Sequence, residues 1–105
     1  MKVLIVGGCG FLGSKLATKL SEAQHDITIA DIKLLWQRNF VLLDLTSPNL
    51  ERQLDELLND IDYVVNCAVI QIPTINQQPW RAYATNISGL QKICHCVETS
   101  KKCKG

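Results

Sequence analysis

Lys2-Val3-Leu4-Ile5-Val6-Gly7-Gly8-Cys9-Gly10-Phe11-Leu12-Gly13 lies at the start of the chain. Its first five residues form a short apolar run, rich in β-branched side chains and closed by glycine. That pattern predicts a strand buried on both faces, as in a parallel sheet. From Phe11 the period changes. Leu12, Leu16 and Leu20, with Ala17 beside them, predict an amphipathic helix whose other side carries Lys15, Lys19 and Glu22. A helix start directly after a strand, joined by glycines, is a place where backbone N–H groups and the helix dipole can hold a phosphate. Gly7, Gly10 and Gly13 are spaced to supply an unusual turn, close backbone approach and tight helix-to-strand contact in that order. The free N–H groups of Phe11 and Leu12 are expected to face the phosphates.

Asp26 to Ala30 reads as the second strand, and Asp31 follows it directly, 18 residues beyond Gly13. A carboxylate there can accept both hydroxyls of an adenosine ribose and would repel a 2′-phosphate. The expected ligand is therefore a dinucleotide, with NAD favoured over NADP. Lys33, two residues on, acts against that repulsion. Ile32 is placed with Asp31 among the cofactor contacts.

Working outward, Phe40 to Leu43 is the third strand. Ser47-Pro48 reads as a helix start, an N-cap followed by proline, with Leu50, Leu54, Leu57 and Leu58 as the buried stripe behind it. A fourth strand begins at Tyr63 and runs to Cys67. Pro73 and its polar neighbours are expected to form a loop. Pro79 or Trp80 opens a last helix with the stripe Leu90, Ile93, Cys94 and Val97. The link from Asp31 to Asn39 is short for a parallel crossover, and is read as irregular, with at most one helical turn at Leu34-Leu35-Trp36. Strands alternating with helices give an α/β fold with a parallel sheet and right-handed crossovers.

These residues resemble the extended short-chain dehydrogenase/reductase superfamily, which includes NAD-dependent epimerases and dehydratases and 3β-hydroxysteroid dehydrogenases. The likeness rests on Gly7-x-x-Gly10-x-x-Gly13 with Phe11-Leu12 inside it, on Leu43-Asp44-Leu45 and on Asn66-Cys67-Ala68-Val69. Asn86, followed by Gly89, completes it. The resemblance implies a Rossmann-type sheet of order 3-2-1-4, an incomplete doubly wound fold, with the dinucleotide across the carboxyl ends of the strands. It implies that Asp44 and Leu45 contact adenine, that Cys67, Ala68 and Val69 pass along the cofactor, and that Asn86 supports the active site. Val6 stands where the family usually has threonine, Asn66 where histidine is frequent, Val69 where alanine is frequent, and Leu90 where threonine is usual.

The family's chemistry also needs a serine or threonine and a Tyr-x-x-x-Lys pair. Tyr63 and Tyr83 are followed four residues on by Cys67 and Ile87, so neither forms that pair. The expectation is a single domain, residues 1–105, that forms the N-terminal, truncated part of a dehydrogenase, epimerase or dehydratase acting on a secondary alcohol. No catalytic residue is assigned, and no turnover is expected from the chain alone. The alternatives are a non-catalytic NAD-sensing or partner-binding module and a truncated product without independent function.

Composition sets the remaining bounds. The chain has 105 residues, a formal net charge of +1 and mixed acidic and basic residues, which argues against nucleic acid as a partner. Lys101, Lys102 and Lys104 are read as a solvated, frayed terminus. The opening residues imitate a secretory leader, but the apolar run is shorter than such a segment needs. No run suffices for a membrane span. With five cysteines, a reducing cytoplasm is expected, and the sequon Asn86-Ile87-Ser88 is then unused.

Cys94-His95-Cys96 with Cys103 suggests a metal site, yet residues i and i+2 of a helix point to different sides, so no metal is expected. Cys9 sits where a helix N-terminus would stabilise a thiolate; a small residue filling a tight loop is the preferred reading. Asp55, Glu56, Asp60 and Asp62 are read as the solvated side and end of the leucine-striped helix. Trp36 and Trp80 are read as core or rim packing. The fourth strand's outer edge would lack a partner strand, which allows self-association or a partner chain there.

Overall fold

A computed structural model describes residues 1–33, 39–70 and 74–105. Four strands form one parallel sheet: β1 (Lys2–Val6), β2 (Asp26–Asp31), β3 (Phe40–Leu42) and β4 (Tyr63–Asn66), in the order β3-β2-β1-β4. The register runs Lys2 against Asp26 and Val6 against Ala30 on one side of β1, and Val3 against Tyr63 and Val6 against Asn66 on the other. This is the α/β arrangement and strand order expected. The turn around Leu34-Leu35-Trp36 falls outside the described residues, as do Trp36 and Pro73.

Alternation along β1 divides the core. Val3 and Ile5 face helix α1 (Phe11–Glu22) and join Ala17 and Ile29 in a small cluster. Leu4 and Val6 face the other way, into a larger cluster with Leu43, Leu50, Leu54, Leu58, Ile61 and Ile93. That cluster is covered by α2 (Leu50–Leu58) and α5 (Leu90–Thr99), which pack on each other. Helices on both faces make the sheet doubly wound.

Several local expectations change. Leu12 is 67% exposed, and the buried residues of α1 are Gly13 and Ala17, with Leu16 and Leu20 only packed against the core. Gly13 is buried because the first turn of α1 lies directly on the glycine loop, and Ala17 because it lies over Val3, Ile5 and Ile29. Helix α2 begins at Leu50 rather than beside Ser47. Leu50 N–H bonds to Ser47 O (3.2 Å) and Ser47 Oγ accepts Asn49 N–H (3.2 Å), so Ser47-Pro48-Asn49 is a turn ahead of the helix. The stretch after Pro73 is not all loop, since α3 (Thr74–Gln77) precedes α4 (Pro79–Tyr83).

From Pro79 the helix continues to Thr99, but it widens to a π-helical turn across Ala84–Gly89. Beyond that turn Ile93 and Cys96 are buried, whereas Leu90 and Cys94 are exposed. The expected stripe is rotated because Gly89, without a side chain, is the residue that lies against Leu45, and Cys96 tucks beneath α2. Trp80, expected to pack in the core or rim, is 84% exposed.

The terminus is not frayed. Lys104 N–H donates to Asp62 O (2.7 Å), Val64 N–H donates to Gly105 O (2.8 Å), and Cys103 is buried. The last residues thus begin to pair along the outer edge of β4, which was expected bare. Asp62 is part of the same clasp, accepting Lys2 N–H (2.8 Å) and pairing with Lys102 Nζ (3.0 Å), rather than simply facing solvent.

Candidate functional site

The glycine turn is built by contacts that exclude side chains. Gly7 N–H bonds to Ala30 O (2.7 Å), which extends the pairing of β1 and β2 by one residue. The chain then turns with Gly7 at φ +78°, a left-handed value disfavoured for residues with a Cβ. A Cβ on Gly7 would also lie 2.6 Å from Ala68 N. One on Gly13 would collide with the backbone of Gly7 and Gly8. Gly10 differs. Its Cβ would meet only Gly7 O, at 3.4 Å, so the space before it is open.

Gly10 caps α1 without a side-chain hydrogen bond, and its carbonyl accepts Ser14 N–H (2.9 Å). The first amides of α1 therefore have no intrahelical acceptor. The side chains of Phe11 and Leu12 project from this end, 79% and 67% exposed.

Asp31 closes the loop from the side. Its Oδ2 accepts Cys9 N–H (3.0 Å) and its Oδ1 accepts Lys33 N–H (3.1 Å), which ties the end of β2 to the glycine turn. The same arrangement places the Asp31 carboxylate beside Cys9. Burial, and then the charge of Asp31, push its thiol above the ordinary value, with Lys33 only partly opposing. Burial raises the Cys67 thiol as well.

Opposite the glycine turn stand the residues after β3 and β4. Thr46 donates both its hydroxyl (2.7 Å) and its N–H (2.9 Å) to Asp44 Oδ1, and these bonds, with the Arg81 charge adding, hold the Asp44 carboxyl below its ordinary range. Asn66 Oδ1 accepts Ala68 N–H (3.1 Å). Asn86, in the π-helical turn, makes two bonds to one residue: Oδ1 accepts Ile70 N–H (2.7 Å) and Nδ2 donates to Ile70 O (2.9 Å). It acts as a strand-like partner for the loop leaving β4.

Between these walls lies a cavity of about 460 Å³ at the carboxyl ends of the strands. The direction in which successive strands are added to the sheet reverses here, since β2 and β3 lie on one side of β1 and β4 on the other. Of the residues singled out from the sequence, Gly7, Gly10, Asp31, Ile32, Asp44, Leu45, Cys67, Ala68 and Val69 line it together. Phe11 and Leu12 stand at the helix start, Gly13 is buried beneath the turn, and Asn86 holds the loop at Ile70; these four do not line the cavity. Its lining also includes Thr46, Ile70, Arg81 and Thr85, which sequence reasoning missed. Arg81 and Thr85 are four apart, one helical step, but no motif sets them off.

Among the described residues no three His, Cys, Asp or Glu side chains gather as a metal site, and no helix is long and apolar enough to cross a membrane. Cys94 is exposed and Cys96 buried, on different sides of α5. Burial and the nearby Asp55 and Glu51 carboxylates push the Cys96 thiol up to about 11.

Comparison with known proteins gives a consistent result. Residues 3–104 match the profile described as the NAD dependent epimerase/dehydratase family. Similar solved structures include the UDP-glucose-4-epimerase of Stenotrophomonas maltophila with bound NAD and formylated UDP-arabinopyranose (22% identity, TM-score 0.79, 93% of this chain and 33% of that one). The L-threonine dehydrogenase of Phytophthora infestans is similar over 98% of this chain and 34% of its own (20% identity, TM-score 0.83). For the UDP-glucose 4-epimerase of Thermus thermophilus, complexed with NAD, the match covers 91% of this chain and 33% of that one (19% identity, TM-score 0.77). The chain thus spans about a third of the length of these structures. No curated protein matches the sequence.

Proposed function

Because the chain belongs to the NAD dependent epimerase/dehydratase family, we propose that its 105 residues hold NAD, in preference to NADP, across the carboxyl ends of the sheet. One observation carries the reading: Gly7, Gly10 and Asp31 line the same cavity at the start of α1. The backbone fits the group. Open space before Gly10 leaves room for a diphosphate, and the amides of Phe11 and Leu12 lie at the positive end of the helix dipole. Each Asp31 oxygen already accepts one backbone N–H, which fixes the carboxylate with lone pairs left for the two ribose hydroxyls. Asp44 and Leu45 form the rim and floor for the base; Ile32, Cys67, Ala68 and Val69 line the path of the chain between. Gly13 keeps α1 close, and Asn86 sets the loop after β4.

When bound, the nicotinamide supplies a hydride acceptor. In the whole protein the substrate is, on this reading, a secondary alcohol oxidised by a dehydrogenase, epimerase or dehydratase. The five unpaired thiols suit a cytoplasmic setting. Residues 1–105 form one domain whose part is to hold the dinucleotide, and the edge of β4 beyond Val64 is where a further strand or a partner chain pairs. No tyrosine in the chain has a lysine four residues on, so cofactor binding without alcohol-dependent NAD reduction is expected from these residues alone.

The test is an NADH titration of the 105-residue chain followed by fluorescence. Saturable binding is expected, weakened about 10-fold or more in Asp31→Ala, the scale of losing hydrogen bonds to a charged group. Unchanged affinity in that variant would remove the ribose assignment. Alcohol-dependent reduction of NAD by the chain would overturn the division of labour.

A further inference from the structure

Among the described residues two cations line the cavity, Lys33 beside Asp31 at the end of β2 and Arg81 across from it beside Asp44, and the second is accounted for by neither the glycine turn nor Asp31. Arg81 lines it from α4, and among the described residues it forms no ion pair; its Nη1 reaches only Gln78 Oε1, at 3.4 Å on its own helix. Asp44 lines the cavity as well. Both donors of Thr46 converge on Asp44 Oδ1, so Oδ2 has no hydrogen bond among the described residues. The Arg81 charge is felt at Asp44, yet the two side chains do not close on each other. Leu45 and Ala68, both apolar, line the same cavity.

An apolar floor, a carboxylate oxygen at the rim and a planar cation complement one kind of group. An aromatic base with an exocyclic amine offers an apolar face, a π surface and an N–H donor together. Resting on the dinucleotide reading above, in which Asp44 already meets the amino edge of the base, we propose that Arg81 is a specificity-determining residue, its guanidinium covering the face of that purine. Adenine meets both demands. Hypoxanthine and guanine present a carbonyl oxygen where adenine has its amine, and that oxygen would face the Asp44 carboxylate.

The experiment compares four probes on the 105-residue chain: NADH, ADP-ribose, nicotinamide mononucleotide and nicotinamide hypoxanthine dinucleotide. Arg81 is exposed, so its variants are expected to melt like the parent, and Arg81→Met, which keeps the aliphatic stem, is a second variant beside Arg81→Ala. Both should weaken NADH and ADP-ribose by about 3- to 10-fold, the range of a half-exposed cation–π contact, and leave the mononucleotide unchanged. Arg81→Lys should resemble Arg81→Ala, because a point charge replaces the plane. The parent should bind the hypoxanthine dinucleotide more weakly than NAD, and Asp44→Asn should narrow that difference. Parent-like ADP-ribose binding in Arg81→Ala, full recovery in Arg81→Lys, or equal weakening of the mononucleotide would each overturn the proposal. A parent chain that binds no NADH removes the underlying reading and this one with it; a parent that binds normally while Arg81→Ala is silent removes this one alone.

Discussion

Replacing Gly7 with alanine should damage the fold, whereas the same change at Gly10 should damage only the ligand site. At Gly7 the φ of +78° alone costs an L-residue about 1–2 kcal/mol. The new methyl would also stand 2.6 Å from Ala68 N, 2.7 Å from the Cys67 carbonyl carbon and 2.8 Å from Ala68 Cα. All three are backbone atoms of the segment leaving β4, so no side chain can swing aside, and overpacking of this kind costs about 1–3 kcal/mol. Together the loss is about 2–5 kcal/mol, a large share of a small domain's stability of about 5–15 kcal/mol. Thermal unfolding followed by circular dichroism should show a fall in Tm of at least about 10 °C. Gly10, with φ −77° and only Gly7 O near its missing Cβ, accepts alanine at a cost under about 1 kcal/mol. Its variant should melt close to the parent yet bind NADH about 10-fold more weakly or worse, near 1.4 kcal/mol. A Gly7→Ala chain melting within about 2 °C of the parent would refute the claim that the close approach to Ala68 shapes the loop.

Asp44 should contribute an acid-sensitive part of stability. Its folded pKa lies below the ordinary 3.8, so the contribution is complete above that value and is lost as pH falls from 3.8 through the lowered folded value. Thr46→Val removes the largest cause, and should lower stability at pH 7 by about 0.5–1 kcal/mol once solvent screening is allowed for, with a shallower decline in acid; an unaltered acid profile would contradict the assignment. Asn86→Ala deletes both bonds to Ile70, which should cost about 1–2 kcal/mol. Ile70 amide exchange should quicken in that variant and partly recover in Asn86→Asp, which keeps the acceptor. Parent-like exchange in Asn86→Ala would show that the clamp is not formed.

The readable parts of the chain were those whose signal is local. Lys2 to Val6, the three spaced glycines and Asp31 lie close together in the sequence, and their residue types state the conformation each requires. Leu50, Leu54 and Leu58 likewise share one face of a regular helix. What escaped depended on contacts distant in the chain or on irregular backbone. Lys102 meets Asp62, and the terminal residues pair with β4, across about 40 positions; nothing in a lysine-rich tail announces a strand partner. Leu90 and Cys94 fitted a 3.6-residue period, but α5 is rotated so that Gly89, Ile93 and Cys96 face the core, an orientation set by the packing of Gly89 on Leu45. Leu12 belonged by spacing to the buried stripe, yet α1 turns Gly13 inward against the backbone of Gly7 and Gly8, and Ala17 onto Val3, Ile5 and Ile29. The surroundings of Cys9 were not legible either: burial, and then a carboxylate from the next strand, raise its thiol.

The widened turn at Ala84–Gly89 has a bearing on how this region tolerates change. A π-helical turn holds one residue more than the α-helical turn it replaces, and each residue turns an α-helix by about 100°. Losing a single position there would restore regular winding and swing everything before it, Arg81 included, about a quarter of the way around the axis relative to α5. The side of the cavity formed by this helix is therefore keyed to residue count as much as to residue identity. Point substitutions on its outer surface leave that winding unchanged, while one deletion inside it rewrites what the cavity presents to its ligand.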